Sequence, residues 1–154
     1  MIDNLKELMT TSQTDVYECF DRMGLDCGPQ DGGCRAYAAA LMNILSAYFD
    51  GLEAKLAFCG RRNVYDHVVL HLSLEGEVYL ADSDGVYSVD EMRAKVARDI
   101  HAMSKVDLLP YSECEADAVG ILDYSEIGLV PALQRVLEKH ALRVCSTADL
   151  APGF

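Results

Sequence analysis

Cys34 follows two glycines and opens the stretch "DGGCRAYAAALMNIL" (31–45), whose alanine run favours a helix. A cysteine in the first turn of a helix faces N–H groups without intrahelical acceptors and the positive end of the helix dipole. Both favour thiolate over thiol, and a nearby histidinium favours it further. Such a thiolate is a nucleophile that needs a base, and the base needs a group to orient it. The segment "DHVVLHLSLEGEVYLADSDG" (66–85) offers both, in His67 and in Asp82 and Asp84. Gly32 and Gly33 would let a substrate backbone approach closely, and the Cys34 amide could donate to an oxyanion. The chemistry these residues suggest is acyl transfer through a cysteine, in the order Cys, His, Asp.

The elements around these residues decide whether they can meet. Tyr37, Leu41, Ile44, Leu45 and Tyr48 form one helical stripe, and Cys34, three residues before Tyr37, falls on its inward face. Residues 64–74 and 77–84 read as strands joined by a two-residue turn, Glu75-Gly76. That turn sets residue 67 opposite 84, 69 opposite 82 and 71 opposite 80. His67, Asp82 and Asp84 then share one face, and Val68, Leu70, Leu72, Tyr79 and Ala81 form a core face. Asp84 lies directly across from His67 at roughly 5 Å, and Asp82 lies diagonally at roughly 7 Å. Local geometry alone favours Asp84, and a three-residue turn would send both aspartates to the other face.

Elsewhere the pattern predicts helices over 3–9 and 14–23, the second capped by Thr14, then a breaker-rich loop over 24–33. A strand is expected at 54–60, a helix at 89–104, a strand at 105–111 and a helix at 125–142. Pro131 should lie in the first turn of that last helix or kink it, and the tail 146–154 should be loose. The layout is α+β: a nucleophile helix packed on a small antiparallel β-sheet, with additional helices.

Composition narrows the function. The 154 residues carry a formal net charge of −12, which argues against a nucleic-acid partner and is compatible with a basic protein partner or a cationic substrate. No apolar run reaches membrane-spanning length, and the acidic, polar start predicts no signal peptide, so a cytoplasmic protein is expected. The six cysteines are expected to be mostly buried thiols rather than disulfides. No metal site is expected: CxxC is absent, "DSDGVYSVDE" lacks the ligands of a calcium loop, and His71 is about 13 Å from His67 along a strand.

The order Cys at a helix start, His at a strand start and Asp on the next strand resembles the papain-like cysteine hydrolase superfamily. The likeness is strongest to its transglutaminase-like and small bacterial or phage-type members. "GGCRAYAAAL" is similar to their nucleophile helix, and "DHVVLHLSLEGEVYLADSDGV" to their histidine-strand-turn-strand-aspartate segment. The resemblance covers roughly residues 28–86 and implies one papain-like domain over 1–154, with C-terminal helices over 89–142 completing it. It implies Cys34 as nucleophile, His67 as base and Asp82 as the orienting carboxylate, since Asp82 stands fifteen residues after His67. It places Asp84, Gly32, Gly33 and Gln30 on the substrate side.

The pattern is not followed throughout. Papain-like proteases carry an oxyanion-hole glutamine six residues before the nucleophile, whereas Gln30 stands four before, and the aromatic near the nucleophile is displaced to Tyr37. The implied activity is a thiol-dependent hydrolase or acyltransferase without cofactor. It would act on a protein or peptide, or on a small amide or thioester. The alternative is a non-catalytic acidic binding or inhibitor protein that retains the fold.

Overall fold

Four threonine and serine residues, Thr10, Thr11, Ser12 and Thr14, are absorbed by the first helix. Thr11 Oγ1 donates to the Glu7 carbonyl at 2.9 Å and Ser12 Oγ to the Leu8 carbonyl at 2.6 Å. Bonded back to the preceding turn, these hydroxyls do not compete for a cap. The two helices expected over 3–9 and 14–23 are therefore one, α1 (Ile2–Arg22), and Thr14 lies inside it rather than capping a second. The computed structural model describes residues 1–61, 67–99, 106–114 and 125–149.

After the loop 24–33 comes α2 (Cys34–Tyr48), ended near Phe49 with Gly51 at φ 82°. Five strands follow: β1 (Glu53–Gly60), β2 (Val68–Leu74), β3 (Glu77–Asp82), β4 (Gly85–Tyr87) and, after α3 (Val89–Asp99), β5 (Asp107–Pro110). They form one antiparallel sheet in the order β4-β3-β2-β1-β5. A short helix α4 (Tyr111–Cys114) follows β5, and a 3-10 turn over Ser125–Ile127 leads into α5 (Leu129–Asp149). Pro131 sits in the first turn of α5, where its missing N–H costs nothing. The helix runs on through 146–149, part of the tail expected to be loose. Residues 150–154 lie outside the described residues, as do the ends of the expected helix 89–104 and strands 64–74 and 105–111.

The hairpin register is the expected one. Leu74 pairs with Glu77 and Leu70 with Ala81, and Glu75 and Gly76 both have positive φ, 52° and 82°, as a two-residue turn of type I′ requires. The expectation of a single core face is corrected. Leu70, Leu72 and Ala81 do pack against α1, α2 and α5, where Leu129, Leu133, Leu137, Ala141 and Val144 make one stripe. The other face is covered too: Val69 and Leu80 are buried with Met92 and Val96 of α3. At roughly 1.5–3 kcal/mol for each fully buried large aliphatic, both layers hold the sheet. His67, Asp82 and Asp84 are thus left at one end of it. Among the described residues no helix is long and apolar enough to cross a membrane.

Candidate active site

Loop 24–33 presents Cys34 as the first residue of α2. Asp31 Oδ1 accepts from the Gly28 amide at 2.7 Å, and the Gly33 amide donates to the Gly28 carbonyl at 3.1 Å, closing a tight bend. Gly32 adopts φ 98°, where only glycine is comfortable. Gly33 is required for a different reason: a Cβ there would lie 2.3 Å from Phe20 Cε1 and 2.8 Å from the Gly28 carbonyl oxygen. The space beside Gly33 is filled by the protein's own core, not left open for a substrate.

His67 is fixed by the sheet immediately before β2. Its carbonyl accepts from the Cys59 amide at 2.8 Å, which continues the β1–β2 ladder. The next amide, Val68 N–H, donates to Cys34 Sγ at 3.4 Å. That contact ties the helix start to the strand start and gives the sulfur a backbone donor. Cys34 packs in a small cluster with Ala38, Phe58, Val68 and Tyr111 and is 2% exposed.

Asp82 closes the constellation. Its Oδ2 lies 2.9 Å from His67 Nε2, with both side chains 2% exposed. Nδ1 is then the ring nitrogen left for the Cys34 thiol. The strand ends at Asp82 and Ser83-Asp84 turn into β4, so the ladder that would have set Asp84 opposite His67 does not extend that far. The Asp84 amide instead donates to Asp82 Oδ1 at 2.9 Å.

A further residue, not recognised in the sequence, completes the cluster. Lys95 of α3 bonds to Asp82 Oδ2, to Asp84 Oδ2 at 3.1 Å and to Gln30 Oε1 at 3.1 Å, and its ammonium lies 5.2 Å from the centre of the Tyr87 ring. Gln30 Nε2 donates to Ser83 Oγ at 2.5 Å. The structure therefore brings Cys34, His67 and Asp82 together and places Gln30 and Asp84 around Lys95, on the far side of Asp82. Lys95 stands three residues after Met92 and one before Val96, at the edge of the stripe that α3 buries.

The electrostatics follow from these contacts. Burial disfavours the charged imidazole, but hydrogen bonds to Asp82 and Cys34, and their charges, outweigh it and raise His67 to about 9. Burial likewise opposes ionisation of Asp82, yet His67 and Lys95 hold its carboxyl below the usual carboxylate range. Lys95 is desolvated too, and the two aspartates more than compensate, so it stays protonated. The site is a buried ionic network of one imidazolium, one ammonium and carboxylates. Among the described residues no three His, Cys, Asp or Glu side chains could hold a metal ion.

No family model, curated protein or solved structure matches the chain. The functional reading therefore rests on the geometry.

Proposed function

We propose that the protein is a papain-like thiol enzyme, a hydrolase or acyltransferase using Cys34, His67 and Asp82. The observation that carries the reading is the Asp82–His67 bond of 2.9 Å together with the 3.4 Å contact from the Val68 amide to Cys34 Sγ, which sets the cysteine that opens α2 against the residue next to His67. In the acylation step Cys34 Sγ bonds to the carbonyl carbon of an amide, ester or thioester. The proton is already held by His67 as the imidazolium, which gives it to the leaving group as the carbon–heteroatom bond breaks. Asp82 holds the ring orientation and stabilises the imidazolium. The Cys34 N–H, one of the first-turn groups without an intrahelical acceptor, is the oxyanion donor. Water or an amine then releases the acyl group, with His67 accepting the proton. A protein, a peptide or a small amide or thioester would be the acyl donor.

A second reading, a non-catalytic acidic binding protein on the same fold, is favoured by the enclosure of Cys34 at 2% exposure. Incubation with p-nitrophenyl acetate, acid quenching and peptide mapping separate the two. An enzyme forms a thioester on Cys34 that turns over, and the thioester is lost in Cys34→Ala and formed far more slowly in His67→Ala. Acylation confined to the half-buried Cys27 and Cys145 would exclude the enzyme reading.

A further inference from the structure

A cavity of about 760 Å³ shares a wall with the nucleophile. Leu56 and Tyr111 line it, and the same two residues pack in the Cys34 cluster. Arg35, the residue after the nucleophile, also lines it, with its guanidinium carbon 5.7 Å from the centre of the Tyr111 ring. Lys55 of β1 and His71 of β2, which are cross-strand partners, add two more basic side chains to the lining. Among the described residues no Asp or Glu lines this cavity.

That composition runs against the rest of the molecule. The chain has 25 acidic residues against 13 lysines and arginines, so an unselected surface of this protein would present carboxylates. Here two permanent cations and an imidazole stand over walls of aliphatic and aromatic carbon. Charges beside a low-dielectric wall are weakly screened and focus the field on a bound anion. The volume suits a small ligand or a short stretch of peptide. A second cavity, about 430 Å³ between α1 and α5, is lined by Asp15 as well as by Arg22, Arg135 and Lys139, and lies away from the triad.

We propose that the cavity beside Cys34 is the acyl-side subsite, selecting substrates whose acyl group carries a carboxylate on a short apolar stem. The inference rests on the thiol chemistry proposed above. The stem lies along Leu56 and Tyr111, and the carboxylate is met by Arg35 and Lys55. The reacting carbonyl is then next to Cys34, because Leu56 and Tyr111 pack in the Cys34 cluster and also line the cavity.

The test compares mono-p-nitrophenyl glutarate with its methyl ester, an acyl group of nearly the same shape without the charge. In each case the sulfur displaces p-nitrophenolate while His67 keeps its proton, and the mass of the Cys34 peptide reports the step. The wild-type protein should acylate at least about tenfold faster with the anionic ester, a difference of about 1.4 kcal/mol. That ratio should fall towards one in Lys55→Gln, in Arg35→Gln and in 1 M salt. Lys55 is exposed, so its substitution does not threaten the fold.

Equal rates in the wild type, or a preference untouched by both substitutions, would overturn the subsite. If neither ester acylates Cys34, the thiol reading fails, and the subsite is decided separately by nuclear magnetic resonance on Cys34→Ala. N-phenylglutaramic acid, but not its methyl ester, should then shift Leu56 and Tyr111, and the shift should vanish in Lys55→Gln. Absence of any shift overturns the subsite as well.

Discussion

His67 Nε2 and Asp82 Oδ2 meet at 2.9 Å although the two residues are not directly opposite in the hairpin. Asp84, which simple register would have set across from His67, has turned away into β4 and bonds Lys95 instead. Asp82 thus carries the ionic network, and Asp84 supports it from the surface.

The difference between the two aspartates is measurable. Asp82→Ala leaves Lys95 and a buried His67 without their shared carboxylate and should cost roughly 3–5 kcal/mol in urea unfolding. Asp84→Ala removes a partner whose side chain is 36% exposed and should cost no more than about 1 kcal/mol.

Stability should depend on pH with a defined sign. The folded state raises His67 from 6.5 to about 9, so its contribution is complete below 6.5 and disappears as the pH climbs through about 9. The folded state lowers Asp82 from 3.8, so that contribution is present above 3.8 and is lost as the pH falls through the lower folded value. Thermal melts should therefore show greatest stability between about 4 and 6.5. The alkaline decline, on the order of 3 kcal/mol, should be absent in His67→Gln.

Much of this arrangement could be read from the residues. The helix starting at Cys34 and the type I′ turn at Glu75-Gly76 are local signals, a 3.6-residue stripe and a two-residue glycine turn, and both stand at the expected positions. Residue type alone could not show that Thr11 and Ser12 bond backward to keep α1 whole, because the same hydroxyls could equally have capped a new helix. Nor could it show where β3 stops, since "DSDG" continues a strand or turns with equal ease. Lys95 was hidden by distance: its partners Gln30 and Asp82 are brought to it only when α3 folds over the second sheet face.

Gly33 should tolerate no side chain. A Cβ at 2.3 Å from Phe20 and 2.8 Å from a backbone oxygen means that Gly33→Ala must displace the core or the helix start. A loss of about 1–3 kcal/mol or more is expected in chemical denaturation, together with slower acylation of Cys34. Gly24→Ala, where nothing lies within 4 Å, should cost only the strain of its positive φ, about 1 kcal/mol.

Lys95 acts through Asp82. Lys95→Met removes a cation that helps to hold Asp82 ionised, so the acid-side loss of Cys34 acylation should begin at higher pH than in the wild type. Lys95→Arg should restore the wild-type profile, an outcome that a merely space-filling role would not give.

The central claim is that Cys34, His67 and Asp82 form one coupled unit, and the titration of the His67 ring, followed by ¹⁵N resonance, tests it most directly. His67 should remain protonated up to about 9 in the wild type. Its midpoint should fall in Asp82→Asn and, separately, in Cys34→Ala, because each substitution removes a hydrogen bond and a charge that favour the imidazolium. A ring that titrates near 6.5 in the wild type, or one whose midpoint is unchanged in Cys34→Ala, would contradict the account.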